Sequence, residues 1–526
     1  MYHLIYRLLS VMRCRNFIKG VFTLPNMGDR KKMKEEREKT IEENNDGKNT
    51  GAIATQDPVA RTDPGVMTGT MAMTDALAMA GTDDHSRSAC IYVKTFGCSL
   101  NQSDSELMAG LLEDAGFTVT DTLEKDTAGD VDYDLAIINT CSVKNLAENK
   151  FWKEYQYWNA KKIPVIVAGC IPQAERALLS GPLAHTSVIG TRQLIKIVDI
   201  VNRTLQGEVV HDISFAFHDR LNLPKKRKSS LIEIIPISEG CLDQCSYCKT
   251  KHARGILHSY PREQIIAQFK SALDAGCKEF WITSQDTGCY GFDCYRPEKY
   301  FLPELLGDLL AIPGDFRIRL GMANPHHIKT IISGLLRVYA HPKMFKFLHI
   351  PVQAGNNRVL KAMRRTYTIE DFESIITTFR QHILDIAIST DLIVGFPEET
   401  AEEFQESLAL LRRIAPDVLN LSRFWLRNGT AAAQLQQLPG GITKLRSEET
   451  RRVFDTLIRK QNKKWVGRIG TAIIDEIGKN NTVIARNDYY KQIIIKNPPA
   501  GIRLGTFVTV RIIASRDYDL TGEILS

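Results

Sequence analysis

The sequence predicts a three-part α/β protein with an amino-terminal open parallel sheet, a central partial (β/α)6 barrel and a small carboxy-terminal β-barrel. Strand-like apolar runs alternate with helical patterns from residue 90 to about residue 445, which is typical of parallel sheets. Short alternating stretches between turn residues replace that pattern over residues 463–526, as expected for a small barrel. Cysteines follow several of the predicted strands, at the sheet edge where ligands bind.

Composition narrows the class of protein. The 526 residues are 43% hydrophobic and 25% charged, which allows two or three globular domains. Eleven cysteines without a secretory signal favour metal ligation over a disulfide framework. A net charge of +7 favours a polyanionic partner. Since there is no uninterrupted apolar stretch of about 18 residues, we expect no spanning helix and no membrane partner.

Residues 1–89 are predicted to be a disordered extension. Four basic residues and no acidic residue lie in the first twenty positions, which is the composition of a mitochondrial presequence. A charge-dense run and a Thr-, Ala-, Met- and Gly-rich segment follow, and neither can build a core. An extension without a targeting role is equally compatible with this composition. We expect a cytoplasmic protein, with the mitochondrion as the alternative.

Residues 90–205 are predicted to form the amino-terminal domain. Three apolar strands, at residues 91–96, 135–140 and 164–169, are followed by Cys98, Cys141 and Cys170, here called the amino-terminal triad. Because the carboxyl ends of parallel strands share one edge, the three thiols should meet there. They could hold a metal cluster or be three core thiols, since buried free cysteine is common.

Residues 206–230 are predicted to be a linker, and residues 231–445 the central domain. The linker contains the basic run 225–228, which we interpret as solvated, with a nucleic-acid patch as the weaker alternative. Further strands are predicted at residues 231–237, 280–283, 316–320, 346–350, 386–394 and 418–425. Six strand–helix units suggest a partial barrel with its site at the carboxyl ends of the strands.

The first central strand is followed by Cys241, Cys245 and Cys248, here called the loop triad. Cysteines spaced C-x3-C-x2-C in a short glycine-led loop can converge on one small inorganic centre. Three thiolates on a four-iron cluster leave one iron open. The alternative is a zinc knuckle with His252 or His258 as the fourth ligand.

The loop triad resembles the signature of the radical S-adenosylmethionine (radical SAM) enzymes. Residues 97–106, 139–143 and 169–173, around the amino-terminal triad, resemble the methylthiotransferases of that superfamily. The resemblance covers residues 90–526. It implies a radical SAM barrel, S-adenosylmethionine, and two 4Fe-4S clusters, one on each triad. It also implies a reductive electron donor and a sulfur source as partners.

The resemblance further implies an S-adenosylmethionine pocket bordered by Ser284, Asp286, Gln353 and Asp391, although each could be an ordinary strand-end cap. Ala354 and Asn428 depart from the residues usual in relatives, a small hydroxyl residue and a proline. No residue is assigned a catalytic role of its own.

Residues 249–255 resemble the eukaryotic and archaeal branch that methylthiolates carbon 2 of N6-threonylcarbamoyladenosine next to the anticodon of tRNA. Basic residues there could bind the threonyl carboxylate and phosphates. Alternatively, Lys249 and Arg254 merely offset the negative charge of the cluster. Other functions left open are methylthiolation of isopentenyladenosine and non-catalytic iron–sulfur tRNA binding.

Residues 463–526 resemble the TRAM domain, a small barrel that binds RNA. Ten Lys and Arg against six Asp and Glu give this segment a net charge of about +4. Tyr489 and Tyr490 are candidates for stacking on bases, with core tyrosines as the alternative. Together with the subtype motif, this predicts tRNA as the partner.

Overall fold

The computed structural model describes residues 88–122, 125–126, 129–130, 132–142, 145–294 and 301–525. The predicted extension 1–89 lies outside the described residues except for its last two positions. Within the described part of the chain, the first strand begins at Cys90.

A six-stranded parallel sheet in the order β2-β1-β5-β6-β7-β8 confirms the predicted amino-terminal fold. Its strands are β1 (Cys90–Thr95), β2 (Thr118–Thr120), β5 (Leu135–Thr140), β6 (Val165–Gly169), β7 (Ser187–Gly190) and β8 (His211–Asp212), and a separate ladder pairs β3 (Lys125–Asp126) with β4 (Gly129–Asp130). The helices are α1 (Ser99–Asp114), α2 (Asn145–Ala160), α3 (Cys170–Ala174) and α4 (Ile197–Leu205).

Both faces of this sheet are covered. Alternate residues of each strand enter separate cores, so that Ile137 packs with Met108 of α1 while Ile138 packs with Trp158 of α2. Because helices cover both faces, the strands are continuous apolar runs, and all six residues of β5 are buried. The carboxyl-end edge remains as the place for polar and thiol groups.

The central domain has six parallel strands around one apolar core, in two sheets ordered β13-β12-β9 and β14-β15-β16. An isolated bridge between Ile318 and Met344 joins their sides, which gives the predicted partial barrel. The strands are β9 (Ile232–Pro236), β12 (Glu279–Thr283), β13 (Arg317–Leu320), β14 (Phe347–His349), β15 (Ala387–Val394) and β16 (Val418–Arg423), with a short ladder of β10 (Ser238–Glu239) and β11 (His258–Ser259). The helices are α5 (Thr250–Arg254), α6 (Arg262–Asp274), α7 (Leu302–Ala311), α8 (Pro325–Ala340), α9 (Asn357–Ala362), α10 (Ile369–His382) and α11 (Ala401–Ile414).

The carboxy-terminal part is a closed barrel in the order β17-β18-β19-β21-β20, as predicted. It is preceded by α12 (Gly440–Lys463) and consists of β17 (Ile469–Ile477), β18 (Thr482–Asn487), β19 (Gln492–Lys496), β20 (Phe507–Ser515) and β21 (Leu520–Ile524). Alternate residues of these strands fill the barrel interior.

The structure corrects two interpretations from the sequence. Within the basic run 225–228, Lys225 is not solvated, because it is 8% exposed and lies 2.7 Å from Glu233, and Arg227 pairs with the same buried carboxylate, whereas Lys226 and Lys228 are exposed. Tyr490 is not available to stack on RNA, because its ring packs 4.9 Å from Phe345 in the central domain. Tyr489 packs 4.9 Å from Trp465.

Candidate metal centres

The amino-terminal triad lies at the carboxyl ends of three adjacent strands, as predicted. Cys98 precedes α1, Cys141 follows β5 directly, and Cys170 begins α3. Cys141 and Cys170 are buried and Cys98 is exposed. The site is therefore enclosed by protein at Cys141 and Cys170 and open to solvent at Cys98.

Asn101 lies among these thiols. Its Oδ1 is 3.6 Å from the Cys98 sulfur and 3.9 Å from the Cys170 sulfur. Gly97 allows the third cysteine, Cys141, to lie close to this segment, because a Cβ at position 97 would be 2.9 Å from the Cβ of Cys141. The φ of +135° at Gly97 also favours glycine. The three cysteines thus converge on one place.

Charge at this site opposes the effect of burial. Burial raises the pKa of the Cys170 thiol, and the Arg254 guanidinium is the largest opposing influence. Metal binding deprotonates thiols, so a fixed positive charge beside them favours the ligand form.

The loop triad follows the short strand β10 rather than β9, so the strand predicted over residues 231–237 ends earlier than expected. Gly240 is required between strand and loop, because its φ is +73° and a Cβ would lie 2.0 Å from the carbonyl oxygen of Ile256. The Ser246 hydroxyl donates to the Ala362 carbonyl at 2.8 Å, and the Ser246 carbonyl accepts from the Ala432 amide at 2.8 Å. The loop is therefore fastened to segments beyond two later strands.

Arg365 supplies positive charge to the loop triad. Its Nη1 donates to the Cys245 sulfur at 3.1 Å and its Nη2 to Asn324 Oδ1 at 2.9 Å. Asn324 in turn donates to Asp243, within the cysteine loop. Burial raises the pKa of Cys245, and Arg365 is the largest opposing influence.

One compact group of potential metal ligands lies outside both triads. In the described part of the chain, it consists of Asp286, Cys289 and His327, whose ligand atoms all lie within 4.8 Å of one another. The ring of His258, one alternative zinc ligand, instead packs against Phe217.

Of the four residues predicted to border S-adenosylmethionine, Ser284, Asp286 and Gln353 follow the carboxyl ends of β12 and β14, whereas Asp391 lies within β15. Asp286 is fully engaged, since Oδ2 pairs with His327 Nδ1 at 2.7 Å and Oδ1 accepts from the amides of Gly288 and Asn324 at 2.9 and 3.0 Å. The hydroxyl of Ser284 is buried without a hydrogen-bond partner. The Asp286 carboxylate is therefore occupied by contacts within the protein, whereas the Ser284 hydroxyl is available to hydrogen-bond a ligand.

On the other sheet, Gln353 has a left-handed backbone, with φ of 71°, and its amide donates to the Asp391 carbonyl at 2.8 Å. The Asp391 carboxylate contacts His349 Nε2 at 3.2 Å and Asn420 Nδ2 at 2.5 Å. His349 and Asn420 are polar groups that the sequence did not single out. The role of the four residues in binding S-adenosylmethionine stays a prediction.

The basic residues of the 249–255 motif are mostly turned inward. Lys249 is 6% exposed and contacts the carbonyl of Asn428 at 2.6 Å and Glu175 at 3.1 Å. Arg254 is 1% exposed and pairs with Asp104 and Glu239. The expectation that Arg254 binds substrate anions is therefore wrong for this structure. Its partners Asn101 and Asp104 belong to the motif at residues 97–106 around Cys98. That motif was the one feature of the sequence from which their place beside the amino-terminal triad could have been predicted.

Among the described helices, none is long and apolar enough to cross a membrane.

Three families match successive parts of the chain. Residues 90–190 match the Uncharacterized protein family UPF0004, residues 235–411 the Radical SAM superfamily, and residues 463–525 the TRAM domain. The order of these matches follows the order of the three predicted parts.

The chain is also similar to named proteins over most of its length. It is 37% identical over 441 residues to the probable threonylcarbamoyladenosine tRNA methylthiotransferase of Pyrococcus horikoshii, covering 83% of this chain and 99% of the archaeal one. It is 36% identical over 445 residues to the threonylcarbamoyladenosine tRNA methylthiotransferase of Homo sapiens, covering 83% of this chain and 74% of the human one. Among solved structures, the radical S-adenosylmethionine methyltransferase TsrM of Kitasatospora setae aligns with 66% of this chain and 75% of its own, at 13% identity and a TM-score of 0.49.

Proposed function

The chain belongs to the threonylcarbamoyladenosine tRNA methylthiotransferases, as its motifs predicted, and we propose that it methylthiolates carbon 2 of N6-threonylcarbamoyladenosine in tRNA. The observation that supports this best is the similarity to named members at 36–39% identity across all three parts of the fold. Radical SAM chemistry requires S-adenosylmethionine and a 4Fe-4S cluster, and tRNA is the substrate.

We assign the first cluster to the loop triad and a second to the amino-terminal triad. When bound, the clusters supply reductive cleavage of S-adenosylmethionine and a carrier for sulfur, which side chains cannot supply. The chain's own contribution is geometric. Gly240 and Ser246 fix the loop triad at the mouth of the barrel, and Arg365 offsets the charge of its thiolates. Because Cys98 is an exposed residue, the second site is open on one side.

Ser284, Asp286, Gln353 and Asp391 are proposed to border S-adenosylmethionine. The unpartnered Ser284 hydroxyl supports a direct hydrogen bond to the ligand. Asp286 already accepts three hydrogen bonds, so we assign it the positioning of the segment that begins α8. An electron donor and a sulfur source complete the proposed partners, and the cytoplasm is the proposed location.

The carboxy-terminal barrel is proposed to hold tRNA by its phosphates. Lys479, Lys496 and Arg503 are exposed there, on turns and strand ends. Exposed cations can displace the counterions of a polyanion without the desolvation cost of buried ones.

Mass spectrometry of tRNA nucleosides from cells with and without this gene tests the function. In cells without the gene, we expect the methylthio form of threonylcarbamoyladenosine to disappear. Threonylcarbamoyladenosine without the methylthio group should accumulate. Loss of only the methylthio form of isopentenyladenosine would show that the assigned base is wrong. A non-catalytic tRNA-binding protein would leave both nucleosides unchanged and would not form 5′-deoxyadenosine after anaerobic reconstitution.

The division of labour between the triads is tested with Cys141→Ala and Cys241→Ala. Each variant should lose about half of roughly eight irons per chain. Cys141→Ala should still cleave S-adenosylmethionine but insert no sulfur, whereas Cys241→Ala should do neither. Cys277→Ala is the control, because Cys277 is a buried core thiol whose pKa burial raises to about 11.

A further inference from the structure

Arg254 links the segment that follows the loop triad to the amino-terminal domain. It ends α5, the short helix that follows the loop triad, yet its side chain reaches the amino-terminal domain. Its Nη2 donates to Asn101 Oδ1 at 3.1 Å and to Asp104 at 2.5 Å, and its Nη1 donates to Glu239 at 3.1 Å. Arg254 is 1% exposed, so no bulk water screens these contacts.

Asn101 has one possible orientation in this environment. Its Nδ2 donates to the carbonyls of Phe96 at 3.1 Å and Thr140 at 2.7 Å. Its Oδ1 must then face the Cys98 and Cys170 sulfurs. When those sulfurs are thiolates they have no proton to donate, so a carbonyl-type oxygen faces negative sulfur. Arg254, bound to the same oxygen, supplies the compensating positive charge.

A second buried arginine provides an internal comparison. Arg220 is 6% exposed and pairs with the same two carboxylates as Arg254, 2.7 Å from Asp104 and 2.5 Å from Glu239. Its remaining described hydrogen bond is donated to the hydroxyl of Tyr260 at 2.6 Å. The two arginines therefore share their counter-charges, but only Arg254 contacts Asn101 among the described contacts.

We propose that Arg254 is a positioning residue for the centre on the amino-terminal triad, holding Asn101 in place and favouring the more negative, one-electron-reduced state of that centre. This rests on the proposed function, since it presumes a cluster on that triad. The electron comes from the external reductant, and no bond is made or broken in the step. A fixed positive charge near a cluster raises its reduction potential.

The test uses the full chain with all three loop-triad cysteines changed to alanine, so that only the amino-terminal centre can bind iron. Arg254→Met is compared with Arg220→Met, because each leaves Asp104 and Glu239 with one arginine. The chain with the three alanine substitutions and no other change is here called the background protein. The fraction of reduced centre is measured by electron paramagnetic resonance at a fixed solution potential, near the midpoint reduction potential of the centre in the background protein. Arg254→Met should lower the ratio of reduced to oxidised centre at least about tenfold, and Arg220→Met should change it less than about twofold. Arg254→Lys, which keeps the charge, should recover most of the loss.

Each other outcome has a definite meaning. Equal changes in the two methionine variants would overturn the proposal, because Arg254 would then act only through the shared carboxylates. A background protein that binds no iron would instead overturn the second cluster, and with it the proposed function of this triad. If Arg254→Met does not fold, Arg254→Gln supplies the same comparison, since it removes the charge but can still donate to Asn101.

Discussion

The central domain contacts its two neighbours through interfaces that differ in composition. Towards the amino-terminal domain the contact is built on Asp104, Arg220, Glu239 and Arg254, here called the charged interface, and no side chain in it is more than 6% exposed. Towards the carboxy-terminal barrel it is an apolar cluster, here called the apolar interface. Its members are Leu231, Phe345, Phe347, Ala387 and Ile473, with Tyr490 packed against them.

The difference follows what each interface must do. Buried ion pairs contribute little net stability, but their charge-assisted hydrogen bonds are directional. The charged interface lies beside Asn101 and the amino-terminal triad, where direction decides the position of polar groups. At the apolar interface the guanidiniums of Arg319 and Arg486 lie over the Tyr490 ring, at 5.1 and 4.5 Å, so cation–π contacts accompany the burial of apolar area.

The largest effect is expected from breaking the charged interface. Asp104→Leu leaves two buried guanidiniums to share Glu239, which should lower the free energy of unfolding by about 3–5 kcal/mol. Urea denaturation followed by tryptophan fluorescence measures this. Asp121→Leu is the control, because its pair with Lys228 is more than half exposed and should contribute less than about 1 kcal/mol. Similar losses in both variants would mean that burial does not set the strength of the charged contact.

The apolar interface should be slightly less sensitive. Tyr490→Ala removes a ring that packs 4.9 Å from Phe345 and 5.1 Å from Phe347, and should cost about 3 kcal/mol. Tyr490→Phe keeps the ring and should cost less than about 1 kcal/mol. Thermal unfolding measures both, and iron content should stay at the parent level. A Tyr490→Ala protein that unfolds at the parent temperature would argue against a packing role for this ring.

The ion pairs of the basic run 225–228, which lie outside both interfaces, should make the stability of the protein sensitive to acid. Glu233 lies on β9 and pairs with the basic run 225–228. Its burial alone would raise the pKa of its carboxyl, but Lys225 and Arg227 have the larger combined effect and hold that pKa below the usual 4.5. A depressed folded-state pKa stabilises the protein above the unfolded-state pKa, and this stability is lost as pH falls through the folded value. The parent should therefore lose stability below about pH 4.5 more steeply than Glu233→Gln, which should be the less stable of the two at pH 7. Parallel curves from urea denaturation between pH 3 and 7 would be inconsistent with the ion pairs. Tyr490→Phe, at the apolar interface, should keep the parent's pH profile.

The smallest effect on stability is expected where charges face solvent. Replacing Lys479, Lys496 and Arg503 together with glutamine should change the free energy of unfolding by less than about 1 kcal/mol. Weaker tRNA binding is nevertheless expected, with a salt dependence shallower by roughly one unit for each lost phosphate contact. Matched salt titrations measure this. This comparison is cleaner than deletion of residues 463–526, which would expose Phe345 and Phe347 to solvent. Unchanged affinity and slope would show that other surfaces hold the tRNA.

The sequence by itself determined the three-part fold, because period-two and helical apolar patterns are local. It also determined the two triads, because cysteines after strands and C-x3-C-x2-C spacing are visible without coordinates. Only the tertiary structure decided the surroundings of the thiols. Arg365 lies 120 positions from Cys245, and Arg254 lies 153 from Asn101, so no local pattern could join them. Burial also reversed the meaning of the basic residues. Sequence reasoning left Arg254 either to bind anionic substrates or to offset the charge of the cluster, and it assigned Lys225 to solvent. The fold removes both cations from water and pairs them with carboxylates. The physical reason is that the charge of a side chain is fixed by its chemistry, whereas its partner is fixed by long-range packing.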